Sequence, residues 1–192
     1  MTKIYLVRHG ETEWNRDGRY QGALDSPLTE RGIEQAGRIG MCIAAHPQDW
    51  SAVYVSPLGR ARQTHALVAA HLGSTPVRYD DRLCEVSAGS WDGLSLEELD
   101  AEWPAMLDGS SQFDWYFRSP DGESYDAAMT RVSDWLADVD GTVLAVSHGL
   151  VGRLIRGAYL GLPREEVLQL PVPQDIVWVL GSGRVSPLGN LR

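Results

Sequence analysis

The feature that most constrains the fold is a near-continuous apolar segment, Thr142–Val146, followed by the polar turn Ser147-His148-Gly149. An apolar run of this length that stops at a turn is typical of a strand in a parallel sheet covered on both faces. An amphipathic pattern continues from the turn to about Leu160 and predicts a helix. The segment therefore predicts a strand, a polar turn and a helix in succession.

Two earlier segments have the same form. Lys3–Val7 reads as a strand and is followed by Arg8-His9-Gly10, and Ala52–Val55 is followed by Ser56-Pro57. Ligands of parallel sheets bind beyond the carboxyl ends of the strands. We therefore expect all three polar turns at one edge of the sheet.

Helical patterns alternate with these strands. Thr29 is placed as an N-cap for a helix over 30–45, and Ser56-Pro57 as a cap with proline at the first helical position. Further helices are predicted at 96–102 and 123–139, a weaker strand at 76–79, and a terminal hairpin over 176–186. This alternation predicts an α/β three-layer sandwich with a mostly parallel central sheet and helices on both faces.

The length of 192 residues favours a single domain, 1–192. Within it, the stretch at about 95–121 contains an aromatic run, 113–117, without a clean period. We expect this stretch to act as a covering segment, or lid, over the pocket. Its aromatic side chains could pack in the core or bind substrate, and Arg82 and Arg118 are candidates to bind an acidic substrate.

Charge and apolar content exclude several classes of protein. The 17 basic against 26 acidic side chains give a net charge of −9, and no basic face that could bind nucleic acid is evident. No apolar run approaches the roughly 20 residues of a membrane-spanning helix, and Met1–Arg8 is too short for a signal peptide. These observations favour a cytoplasmic protein without nucleic-acid or membrane partners. The oligomeric state stays open, a homodimer included.

The polar turns and their neighbours carry six groups that can bind an anion: Arg8, His9, Asn15, Arg60, His148 and Gly149. Guanidinium groups offer paired N–H donors to phosphate oxygens, and a helix start adds partial positive charge. Charge-assisted hydrogen bonds of this kind contribute about 1.5–3 kcal/mol each. The set predicts a pocket for a tetrahedral oxyanion. The sequence shows no carboxylate cluster suited to a metal, and neither a metal nor a cofactor is expected.

Six blocks of the sequence occur in a familiar order: LVRHGETEWN at 6–15, residues from 21 to 36, SPLGRARQT at 56–64, LCEVSAGSWDG at 83–93, GES at 122–124 and VSHG at 146–149. Together they resemble the histidine phosphatase superfamily, in the branch that contains the cofactor-dependent phosphoglycerate mutases. The resemblance covers nearly the whole chain and implies a phosphoglycerate mutase-like fold.

The resemblance also implies residue roles. His9 would be the nucleophile that takes the phosphoryl group, while Arg8, Arg60 and His148 would hold its oxygens. Glu85 would donate a proton to the leaving alkoxide and then activate water. Asn15 and the start of the helix at Gly149 would add hydrogen bonds, and Gln21 would touch the substrate.

Three functions remain in view. The first is hydrolysis of a small phosphorylated metabolite through phosphohistidine, and the second is a mutase reaction that returns the phosphoryl group to another hydroxyl. The third is a non-catalytic phosphate-binding module. Mutases of the family are typically longer, so the phosphatase is favoured. The physiological ester cannot be read from the sequence.

Overall fold

The computed structural model describes residues 2–110 and 114–188. Within them the chain forms a six-stranded sheet. Its strands are β1 (Lys3–Arg8), β2 (Ala52–Val55), β3 (Val77–Tyr79), β4 (Thr142–Ser147), β5 (Val177–Gly181) and β6 (Arg184–Pro187). The aromatic Phe113 lies outside the described residues.

The sheet has the strand order β3-β2-β4-β1-β5-β6. Strands β3, β2, β4 and β1 pair in parallel, whereas β5 is antiparallel to β1 and β6 is antiparallel to β5. The mostly parallel sheet is therefore confirmed. Because β2, β4 and β1 are neighbours with one direction, the turns that follow them lie at the same edge, as the sequence predicted.

Seven α-helices are found in the described residues: α1 (Glu13–Arg16), α2 (Glu30–Ala45), α3 (Gly59–Val68), α4 (Leu96–Glu102), α5 (Tyr125–Asp138), α6 (Gly149–Leu160) and α7 (Arg164–Gln169). Helices α5 and α6 pack on one face of the sheet, and α2 and α3 pack on the other. This arrangement confirms the three-layer sandwich. None of the seven helices in the described ranges combines the length and the apolar character that a membrane span requires.

Strand alternation divides the core into two clusters. Along β1, Ile4 and Leu6 point into the cluster with α5 and α6, whereas Tyr5 and Val7 point into the cluster with α2 and α3. Each of these side chains is at most 2% exposed, and full burial of a large apolar side chain contributes about 1.5–3 kcal/mol. Burial on both faces explains why the central strands are continuously apolar.

One predicted helix start is wrong. Helix α3 begins at Gly59 with Leu58 as its N-cap, so Ser56 and Pro57 form a turn before the helix instead of its cap. The carboxylate of Asp25 accepts the backbone N–H groups of Gly59 and Arg60. Asp25, which lies in a loop distant in sequence, therefore caps α3 in place of Ser56, the cap that the sequence predicted.

Two glycines allow the loop after β1 to lie against helix α2. A Cβ atom on Gly32 would overlap the carbonyl oxygen of Glu11, and one on Gly10 would overlap the carbonyl oxygen of Gly32. The main chain that immediately follows His9 therefore packs directly against the main chain of α2 at Gly32. This close approach positions the turn that carries the imidazole.

We expect Gly32→Ala to lower the free energy of unfolding by about 1–3 kcal/mol, because the added methyl has no room against rigid backbone. Gly37→Ala is the matched control, since it lies in the same helix with nothing within 4 Å of its Cβ position. Helix propensity predicts that this control gains up to about 1 kcal/mol. Urea denaturation of both variants measures the difference, and equal stability would contradict the close approach.

Candidate active site

An open pocket of about 220 Å³ lies beyond the carboxyl ends of β1 and β4. Seven of the eight residues predicted for the site line it: Arg8, His9, Asn15, Gln21, Arg60, Glu85 and Gly149. The eighth, His148, lies beside His9, with 5.2 Å between the two ring centroids. The structure therefore brings the predicted set together.

The His9 imidazole is held in one tautomer. Its Nδ1 lies 2.7 Å from the carbonyl oxygen of Gly10, which can only accept, so Nδ1 carries the proton and Nε2 keeps its lone pair. The side chain is only 2% exposed. Burial lowers the pKa of His9 well below its ordinary value, and the positive charges of Arg60 and Arg8 lower it further. His9 therefore presents a neutral nitrogen with a free electron pair, the form that a nucleophile needs.

The second imidazole is anchored from the neighbouring strand. His148 Nε2 lies 2.7 Å from the hydroxyl oxygen of Ser56, and its Nδ1 is buried without a hydrogen-bond partner among the described residues. Burial lowers the pKa of His148 well below its ordinary value, and the nearby charge of Arg60 adds to the effect. The sequence did not assign Ser56 to the site.

The two predicted arginines are braced by main-chain carbonyls. Arg8 donates from Nη1 to the carbonyl of Val172 at 2.6 Å, and Arg60 donates to the carbonyls of Gly22 and Leu24 at 2.8 and 2.6 Å. Arg60 also pairs with Asp25 at 3.1 Å. In both arginines the Nε–H group is buried without a partner in the described part of the chain. Bonds from the terminal nitrogens thus hold each guanidinium in place, while its Nε–H stays unpaired within the described residues.

Glu85 faces the start of helix α6. Its two carboxylate oxygens accept the backbone N–H groups of Leu150 and Val151 at 3.1 and 3.0 Å, and one of them also accepts the N–H of Val86. We expected the N–H groups at this helix start to be free for substrate, and for these two that expectation is wrong. The carboxylate is instead held at the pocket wall by the terminus that Gly149 begins.

Asn15 and Gln21 complete the predicted set. Asn15 lies in the short helix α1, and its Oδ1 accepts the N–H of Thr12 at 3.3 Å. Gln21 is 6% exposed, and its Oε1 accepts the hydroxyl of Ser26 at 3.2 Å. Both side chains line the pocket. Helix α1 itself was missed, because four residues are too few to show a helical period.

The sequence profile of the histidine phosphatase superfamily (branch 1) matches residues 4–183. The chain belongs to this family. Among its relatives, phosphoserine phosphatase 1 of Hydrogenobacter thermophilus is 35% identical over 167 residues, which is 84% of this chain and 78% of the relative. A probable phosphoglycerate mutase, GpmB, of Salmonella arizonae is 35% identical over 171 residues, covering 85% and 77%.

The fold of this histidine phosphatase agrees with solved relatives. The crystal structure of the alpha-ribazole phosphatase from Shigella flexneri superposes with a TM-score of 0.83 at 29% identity, covering 98% of this chain and 96% of that one. Family membership together with the phosphatases among these relatives supports phosphomonoesterase activity.

Three polar side chains of the pocket were missed by the sequence analysis: Arg19, Tyr20 and Arg153. Arg153 lies four residues after Gly149 on α6, so helical spacing from the VSHG block could have revealed it. Burial lowers the pKa of Arg153, and the charge of Glu85 opposes that effect. Arg19 forms a two-point ion pair with Glu98 at 2.8 Å, which no sequence pattern indicates.

The two arginines proposed to bind an acidic substrate lie elsewhere. Arg82 pairs with Asp80 and Asp138 at 2.8 and 2.6 Å, and Arg118 donates to main-chain carbonyls within its own segment. Neither lines the pocket, so this expectation was wrong. Only Tyr116 of the aromatic run reaches the pocket among its described residues, and its hydroxyl donates to the carbonyl of Val86 at 2.9 Å.

Within 2–110 and 114–188, no group of three or more His, Cys, Asp or Glu side chains could hold a metal ion. The pocket instead offers cationic and N–H groups, which suit an anion.

Proposed function

We propose that the protein is a phosphomonoesterase that hydrolyses a small phosphorylated metabolite through a phosphohistidine at His9. One observation carries the proposal. Six buried side-chain nitrogens have no partner among the described residues, and three of them, Arg8 Nε, Arg60 Nε and His148 Nδ1, belong to side chains around His9. Buried polar groups are almost always paired within proteins, so exceptions that cluster together indicate a ligand. These three nitrogens surround the His9 imidazole, whose Nε2 would bond to phosphorus, and they could donate hydrogen bonds to the oxygens of the phosphoryl group.

In the first step, His9 Nε2 attacks phosphorus and the bond from phosphorus to the ester oxygen breaks. The Nε–H groups of Arg8 and Arg60 hold the non-bridging oxygens as charge develops on them. If Ser56 donates its O–H to His148 Nε2, the proton of that ring resides on Nδ1 and can be donated to the same phosphoryl group. These donors are fixed beforehand, so they stabilise the transition state without reorganisation.

Glu85 is assigned to proton transfer. The departing alkoxide needs a proton, and a substrate that binds as its monoanion brings one, because the second ionisation of a phosphate monoester lies at about pH 6. Glu85 passes this proton to the leaving oxygen. In the second step it takes a proton from the water that attacks phospho-His9, and inorganic phosphate departs with His9 neutral again.

A mutase reaction is the second candidate, since relatives that include the Salmonella arizonae protein are named probable phosphoglycerate mutases. The first step would be the same in both reactions. In a mutase, a hydroxyl of the bound substrate would attack phospho-His9 in place of water.

The two reactions are separated by their products. We expect phosphate release from p-nitrophenyl phosphate and from one or more of phosphoserine, α-ribazole 5′-phosphate and 3-phosphoglycerate. With 3-phosphoglycerate and its bisphosphate primer, no isomer should form. Isomerisation at a rate above that of phosphate release would favour the mutase, and neither product would indicate a binding module.

A further inference from the structure

The segment that follows α7 reaches the pocket through its main chain. The carbonyl oxygens of Leu170, Pro171 and Val172 accept hydrogen bonds from Arg153, Arg156 and Arg8, at 2.6, 2.5 and 2.6 Å. Three consecutive carbonyls are therefore held by three arginines. Because proline fixes φ at Pro171 and again at Pro173, the segment is also stiff. We call residues 170–174 the clasped segment.

The clasped segment ends at a contact with a pocket residue. Gln174 Nε2 donates to Asn15 Oδ1 at 2.9 Å, across 159 positions of the sequence. This is the one hydrogen bond that the Gln174 side chain makes within the described residues. The same Asn15 oxygen accepts the N–H of Thr12.

We propose that Gln174 is a positioning residue that fixes the orientation of the Asn15 amide. This inference rests on the proposed function and on the role that the family resemblance implies for Asn15, a hydrogen bond from its amide to the phosphoryl group. An amide side chain can rotate so that its oxygen and nitrogen exchange places, and a phosphoryl oxygen accepts hydrogen bonds only. With two N–H donors directed at Oδ1, the Asn15 Nδ2 group must face away from them, toward the pocket that Asn15 lines.

The N–H donor of the Gln174 side chain, more than its size, is what orients the Asn15 amide. The N–H of Thr12 alone bonds Oδ1 at 3.3 Å, the longer of the two contacts, and holds the amide less firmly. Methionine has nearly the size of glutamine without its donor, so Gln174→Met removes the hydrogen bond and keeps the packing. Gln174→Glu replaces the donor by acceptors, which favours the rotated amide with its oxygen toward the phosphoryl group.

The test is a double-mutant cycle on kcat/KM for phosphomonoester hydrolysis. We expect Gln174→Met to lower kcat/KM about 5-fold and Gln174→Glu about 30-fold or more, as for lost charge-assisted hydrogen bonds. In an Asn15→Ala background, Gln174→Met should change kcat/KM by less than about 2-fold. Gln174 then has no Asn15 amide to orient, and the effects of substitutions at two interacting residues do not add. Gln169→Met and Gln169→Glu, on the exposed last position of α7, are matched controls that should leave kcat/KM unchanged.

A second readout does not depend on turnover. Orthovanadate imitates the transferred phosphoryl group, and its inhibition constant should rise by the same factor as kcat/KM falls in Gln174→Met. Thermal unfolding of each variant shows that the fold persists. If the Gln174→Met effect is absent, or is as large in the Asn15→Ala background, the positioning role is overturned. A wild-type protein without phosphatase activity would overturn this role and the proposed function together.

Discussion

His9→Ala is expected to abolish phosphatase turnover, with a loss in kcat/KM of about 10⁴-fold or more. The variant lacks the nitrogen that accepts phosphorus, and no other imidazole can replace it. His148 lies beside the His9 ring, but its Nε2 is engaged by Ser56 and its Nδ1 is assigned to donate a proton, so neither nitrogen offers a free electron pair. Initial rates with p-nitrophenyl phosphate measure the loss.

Binding should survive the same substitution. Arg8, Arg60 and His148 form hydrogen bonds to residues other than His9, so the substitution should leave them in place. The dissociation constant of His9→Ala for phosphate esters should therefore stay within about 10-fold of the wild-type value. Acid-labile phosphoprotein should form in the wild type after rapid quenching and be missing in His9→Ala. His46→Ala, which replaces an exposed histidine at the far end of α2, is the control and should retain full activity. A His9→Ala protein with wild-type rate would contradict the phosphohistidine mechanism.

The sequence predicted the site through topology. Parallel strands place their carboxyl ends together, so His9 and His148, 139 positions apart, could be assigned to one edge from the order of strands and polar turns along the chain. The alternation of Tyr5 and Val7 with Ile4 and Leu6 follows from burial on both faces. These inferences depend only on strand period and direction, which local sequence carries.

Contacts between loops could not be predicted from the sequence. Ser56 was interpreted as a helix cap, which is a frequent role of serine before proline, yet its hydroxyl meets His148 across 92 positions. The choice between the two partners depends on the three-dimensional spacing of β2 and β4. Likewise, Arg60 was expected to offer a fork of donors, but main-chain carbonyls of Gly22 and Leu24 occupy its terminal nitrogens. Carbonyls of irregular loops leave no pattern in the sequence.

The second large effect concerns Glu85→Gln, and it depends on the leaving group. For alkyl phosphates we expect kcat/KM to fall about 10²–10⁴-fold, the usual contribution of a general acid. For p-nitrophenyl phosphate the loss should be under about 10-fold, because p-nitrophenolate departs without needing a proton. The quantity kcat/KM is chosen because it reports the phosphorylation of His9. Hydrolysis of phospho-His9, which also uses Glu85, is common to every substrate and affects kcat instead.

Comparing the loss in kcat/KM for the two substrates distinguishes a lost proton donor from a general disturbance of the site. Glu85 accepts N–H groups with both oxygens, so the amide that Glu85→Gln introduces would turn its NH₂ group toward a backbone donor of α6. That disturbance lowers the rate for all substrates by one factor, which cancels when alkyl and p-nitrophenyl esters are compared. Glu102→Gln, at the exposed end of α4, supplies the control for loss of a charge. Equal losses for both esters would show that Glu85 holds the helix start in place and that another group protonates the leaving oxygen.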